Sequence, residues 1–203
     1  MSSKIDFSPI YHLSKIGNMI MESHEVLKKL AADGGYLKNN EEDSDLIGYI
    51  FQSNMVLWSV SFMDEWNKYF NDGRIPGFRV NELKACLKPV TKELAKWREM
   101  NKFRNEVIAH NFRQNGQSIF LKENRLKYAA PADYFEVAHL IALIKFLTVT
   151  IESYYAAQLE HFKAENITEE KPHRPENKYS PEHYSSLQKQ VMEKLKEKGF
   201  IRS

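Results

Sequence analysis

Apolar residues recur every three or four positions through most of this chain, a period that predicts helices almost throughout. The first starts at Ser8 and carries Ile10, Leu13, Ile16, Ile20, Leu27 and Leu30 on one face, with Gly34-Gly35 to end it. Ser8 is the expected N-cap and Pro9 the first helical residue, since a hydroxyl can accept an unpaired N–H there and proline has none to lose. After the acidic stretch "NNEEDSD", a second helix is expected from about Asp45 to Phe70. Its face is Ile47, Ile50, Phe51, Leu57, Trp58, Phe62, Trp66 and Tyr69. "NDGRIPGF" reads as a loop. A third helical region is expected from about Asn81 to His110, with Pro89 kinking it or starting a second segment. "SIFLKENRLKYAA", residues 118–130, alternates weakly about Glu123-Asn124 and reads as a small β-hairpin. A fourth, very apolar helix follows from about Ala132 to Phe162.

Beyond Phe162 the period is lost and prolines enter in "NITEEKPHRPENKYSPEHY", which reads as a linker. Ser180-Pro181 opens a last amphipathic helix, carrying Leu187, Val191 and Leu195 and closed by Gly199. The predicted fold class is therefore all-α: an up-and-down four-helix bundle with a small β-hairpin insertion and a C-terminal helical appendage. The predicted division is residues 1–165 for the bundle and 166–203 for the linker and last helix.

Composition narrows the class. A 203-residue chain with 42% hydrophobic residues can bury a real core and is not of disordered type. The single cysteine, Cys86, allows no internal disulfide and fits a reducing compartment. "MSSKIDFSPIYH" lacks a secretory pattern. The most apolar window, "VAHLIALIKFLTVTI", is shorter than a bilayer span and carries His139 and Lys145. A cytoplasmic protein with no membrane partner is the expectation.

Charge is uneven although the net is only +2. Lys and Arg number 6 against 11 Asp and Glu in residues 1–73, but 10 against 4 in residues 74–114. That one basic block is either a solvated face or the footprint of a polyanion.

Within the block the helical stripe changes character. Leu83, Leu87, Val90, Leu94 and Trp97 advance in steps of four and three, and the same steps continue to Asn101, Arg104, Ile108 and Asn111. A neighbouring stripe reads Met100, Phe103, Val107 and His110. Arg104 and His110 thus take places that a packing helix fills with Leu or Ile. Their six-residue separation turns them about 120° apart on a regular helix, so they border one broad face. Either each is a satisfied core polar group, with Arg104 paired to a carboxylate and Glu106 four residues before His110, or the helix end is a site.

"RNEVIAH" in this context resembles the Arg-X(4–6)-His motif of HEPN domains (higher eukaryotes and prokaryotes nucleotide-binding), which sits near a helix end in a four-helix bundle. "SFMDEWNKYF" and the "IAHN" ending are similar to the abortive-infection U-type branch, and the resemblance spans roughly residues 8–162. It implies a metal-independent endoribonuclease acting in phage defence, in a toxin–antitoxin pair or in RNA processing, as a homodimer with both motifs on one cleft. His110 would be general acid–base for attack of the ribose 2′-hydroxyl on the phosphate. Arg104 would hold the phosphate, and Asn105 would orient the site. Arg98, Lys102 and Arg113 are candidate RNA-backbone contacts by charge and proximity. No cofactor and no metal is expected: "SHEVL" around His24 lacks a second histidine, Cys86 lacks a partner, and no glycine-rich phosphate loop occurs. The rival expectations are a non-catalytic binding or partner module, for example beside a nucleotidyltransferase, and a helical dimerisation protein with an acidic partner.

Overall fold

A computed structural model describes residues 5–32, 41–108 and 127–166, together with 185–186 and 189–193. All regular structure among them is helical. In chain order the helices are α1 (Ser8–Ala32), α2 (Glu41–Lys68), α3 (Val80–Cys86), α4 (Lys88–Leu94), α5 (Met100–Phe103) with a π-helical turn at Arg104–Ile108, α6 (Tyr134–Tyr154) and α7 (Ala156–Asn166). The chain divides into two compact units, residues 1–167 and 168–203. In the second, residues 189–193 are helical, with Val191 and Met192 about half exposed. The rest of the predicted last helix lies outside the described residues.

The expected hairpin at 118–130 is not found. Its described end, Lys127–Ala130, is turn and bend, and the remainder falls outside the described residues.

Three long helices build the core, with α1 packed on both α2 and α6. Ile10, Leu13 and Ile20 of α1 meet Met55, Val56 and Phe62 of α2 and Leu140, Ile144, Leu147 and Ile151 of α6 in one buried cluster. Each such side chain contributes about 1.5–3 kcal/mol by leaving water. The α1–α6 crossing depends on Gly17: a Cβ there would lie 2.0 Å from the Thr148 hydroxyl. Glycine is required for space here, not for its backbone freedom.

Two details of the first two helices differ from expectation. The cap of α1 is Asp6, whose carboxylate accepts the Ser8 N–H at 2.9 Å, so Ser8 is the capped residue. Hydrogen bonding to Ser8 lowers the Asp6 pKa, and the charges of Arg74 and His12 add to the effect. On α2 the expected face is only partly buried: Ile50 and Tyr69 are 50% and 40% exposed, while Met55, Val56 and Val60 are buried. The reason is that α2 touches α1, α6, α5 and the π turn, so it buries more than one stripe. Its C-terminal carbonyls are closed by Lys84, whose ammonium donates to Trp66 O at 2.8 Å and Phe70 O at 3.1 Å. A cation suits the negative end of a helix, and burial there lowers the lysine's pKa.

Both later helices are broken where a tertiary bond holds the backbone. Pro89 starts α4, as one of the two alternatives had it. A second break, at 95–99, was not expected. There Glu99 exchanges two bonds with Ala129: its N–H donates to Ala129 O at 3.1 Å and its carboxylate accepts the Ala129 N–H at 2.8 Å. The predicted single helix from 132 to 162 ends instead at Tyr154. Tyr155 is fully buried and donates its hydroxyl to Phe78 O at 2.9 Å. At 21 residues α6 is long and apolar enough to cross a membrane by length and composition, contrary to the short window read from the sequence. What makes it a core helix is the burial of seven residues along one side, from Val137 to Ile151.

Candidate functional site

The motif stretch begins from a firm anchor. Phe103 is 1% exposed and donates its N–H to Glu99 O at 2.8 Å, while Met100 beside it is also buried. These two belong to the second apolar stripe, and it is that stripe which packs. The first stripe's continuation faces outward: Asn101 is exposed and Arg104 is half-buried. The extrapolation failed because the helix is interrupted at 95–99, which resets the phase before residue 100.

From Arg104 the backbone widens into the π turn, a rare geometry that recurs at functional sites. Two tertiary contacts flank it. On one side the Arg104 guanidinium faces α2, with Nη1 3.8 Å from the Asp64 carboxylate, which in turn binds Lys68 at 3.0 Å. On the other, Glu106 accepts the Tyr128 hydroxyl at 2.9 Å. Arg104 Nε donates to the Asn105 side-chain oxygen at 3.0 Å, so two of the expected site residues do touch.

A carboxylate partner for Arg104 was one of the two expectations, with none named, and the observed one is Asp64. "SFMDEWNKYF" holds two adjacent acids, Asp64 and Glu65, and the sequence does not say which of them reaches Arg104. At 3.8 Å the pair exceeds ordinary hydrogen-bond length. It is a loose charge contact, which leaves Nη donors able to meet another anion.

Tyr128 forms the second side of the site and was missed. Its ring meets Phe103 edge-on at 5.4 Å, and Lys102 lies 5.5 Å above it. Burial, then its bond to Glu106, pushes the phenol up to about 12, so it stays protonated and donating at neutral pH.

The remaining candidates are dispersed. Lys102 is exposed and 3.9 Å from Glu99, and Arg98 is exposed at the bend before α5. His110 and Arg113 lie outside the described residues. Two cations of the basic block reach acids of the first segment, Arg74 at Asp6 and Arg104 at Asp64, while Arg79 and Lys96 pair inside the block with Glu82 and Glu93. The unevenness of charge in sequence is thus weaker in space.

Away from this site, α1 makes polar contacts with both α6 and α2. Glu152 accepts from Ser14 at 2.6 Å and from Asn18 at 2.7 Å, joining α6 to α1. Glu65, its pKa raised by burial, faces His12 at 3.7 Å. No group of three or more His, Cys, Asp or Glu suited to a metal occurs among the described residues.

Compared with known proteins, the chain matches no family model, no curated protein and no solved structure.

Proposed function

We propose that this protein is a metal-independent endoribonuclease of the HEPN type, working as a homodimer in phage defence or with a cognate antitoxin. In this reading α1, α2, the broken α3–α5 stretch and α6 are the four legs of the HEPN bundle. The observation that carries it is the half-buried Arg104 guanidinium on a π turn, oriented by Asn105 and only loosely matched by Asp64, six residues before His110. A fork fixed at Nε presents its remaining donors in a plane, the geometry that suits a phosphate. His110 would take the proton from the ribose 2′-hydroxyl and return one to the leaving 5′-oxygen. Arg104 would stabilise the charge that develops on the phosphate between those events. Phe146 and Val149, exposed along α6, offer apolar area for the second copy.

One observation favours a second reading. Arg104, Asp64 and Lys68 form a chain of charges that satisfies the arginine without any ligand. The protein would then be a non-catalytic module, pairing for example with a nucleotidyltransferase.

Cleavage of total RNA by the pure protein in excess EDTA separates them. The nuclease should cut with 2′,3′-cyclic phosphate ends and should fail on RNA with a 2′-deoxy sugar at the cut site. His110→Ala should lose about 10²–10⁴ in rate while folded. Arg104→Ala should fall comparably, with Arg104→Lys recovering only part. Cleavage abolished by EDTA, or an undiminished rate in His110→Ala, overturns the nuclease.

A further inference from the structure

A cleft of ≈ 670 Å³ opens beside the Arg104 turn, between the end of α4 and the first turns of α6. Its floor is Ala129, Ala130 and Ala132, and the absence of larger side chains in that run leaves the space open. Its walls are aromatic: Trp97 and Tyr128, both half-buried, face His139 and Phe135. Trp97 and His139 meet edge-on at 5.9 Å. Phe135 is 81% exposed, the most exposed of the large apolar side chains described.

The Phe135 ring meets Tyr134 edge-on at 5.9 Å and otherwise offers a flat face at the mouth of an aromatic cleft. We propose that Trp97, Tyr128, Phe135 and His139 form a nucleobase-stacking subsite for single-stranded RNA, continuous through Tyr128 with the Arg104 turn. The proposal deepens the nuclease reading and rests on it for the choice of RNA. Unpaired bases recognise proteins by stacking on aromatic faces, which every base can do whatever its sequence. Continuity is direct: the Tyr128 ring lines the cleft, and its hydroxyl binds Glu106 on the π turn at 2.9 Å. Tyr128 thus ties the cleft to the π turn at Glu106, while the Arg104 guanidinium lies on the α2 side of the same turn.

Charge at the cleft is mixed. Lys96 lines it but is paired with Glu93 at 2.7 Å, and Lys102 overhangs the Tyr128 ring. Glu136 accepts the Ala132 N–H at 2.7 Å and keeps its charge. The cleft itself therefore suits an uncharged base, and Lys102 is the cation placed to meet a phosphate beside it.

The test uses the full-length protein and a six-residue oligoadenylate with 2′-O-methyl sugars, which cannot be cut by 2′-hydroxyl attack. Affinity is read by anisotropy. Phe135→Ala should bind about tenfold more weakly, and Phe135→Tyr should restore binding because it keeps the ring. The exposure of Phe135 means that the melting temperature should not move. A duplex of the same chemistry should bind more weakly than the single strand, its base faces being covered. Undiminished binding by Phe135→Ala, or equal binding of strand and duplex, overturns the subsite. So does a loss of self-association in Phe135→Ala that accounts for the loss of binding, since the ring would then serve a second copy. The two readings fail separately. Phe135-dependent binding by a protein that cuts no RNA refutes the nuclease alone, and cleavage with Phe135-independent binding refutes the subsite alone.

Discussion

The α1–α6 crossing and the Arg104 turn are built on opposite terms. At the crossing, Gly17 and Thr148 bring two backbones together and the flanking residues Leu13, Ile20, Leu140, Ile144 and Ile151 are fully buried. At the turn, Met100 and Phe103 anchor a short helix, and Arg104, Asn105 and Glu106 are held by polar contacts near the surface. The first region contains most of the folding free energy, because apolar burial is proportional to area removed from water. The second contains little, because exposed ion pairs are worth under about 1 kcal/mol. Residues that stabilise little can be committed to a ligand at little expense to the fold.

The sharpest way to break the comparison is to remove comparable bulk from each side. Leu140→Ala should cost about 2–5 kcal/mol of stability through lost burial and a residual cavity. Arg104→Ala should cost under about 1 kcal/mol. Urea denaturation of both variants decides it, and a loss of several kcal/mol in Arg104→Ala would make that arginine a structural element of the core.

A smaller effect tests the crossing itself. Gly17→Ala adds one methyl where the Thr148 hydroxyl stands at 2.0 Å, so it should destabilise by about 1–3 kcal/mol through overpacking. Thr148→Ala made together with it should recover part of the loss, although the residual Cβ remains close. Strictly additive losses in a double-mutant cycle would show that the helices simply move apart.

The smallest effect concerns the turn and alkaline pH. The Tyr128 phenol is pushed up to about 12, above its ordinary value near 10. Below pH 10 both folded and unfolded chains hold the proton and its bond to Glu106 is intact. Between about pH 10 and 12 the unfolded chain loses it first, so the contribution of Tyr128 declines as pH rises. Thermal melts should fall over that window, and Tyr128→Phe should fall less steeply. Parallel curves would mean that other groups carry the alkaline loss; Tyr155, raised by burial, is one of them.

Much of the fold was legible because burial in α1 and α6 follows one period along one element. Ile10, Leu13 and Ile20 were found by spacing alone, as was the apolar character of α6. The candidate site was legible only in part. Arg104 was marked by being polar where the stripe called for Leu, Asn105 by the resemblance alone, and the two do touch. Asp64 and Tyr128 were not named, since each reaches the turn from a different element.

The amino-acid order by itself determined that the described chain is helical, which residues are apolar at helical spacing, and that Pro89 disturbs the third helical region. Each is a property of residues within about four positions of one another, where backbone sterics and periodicity act. The tertiary structure decided where helices stop and what the polar groups meet. Ala129 breaks the third region by binding Glu99 across 30 positions, and Phe78 ends α6 by binding Tyr155 across 77. Arg104 takes Asp64 from α2 in preference to the nearby Glu106. Such bonds join groups that become neighbours only after the helices have packed, so no local period carries them.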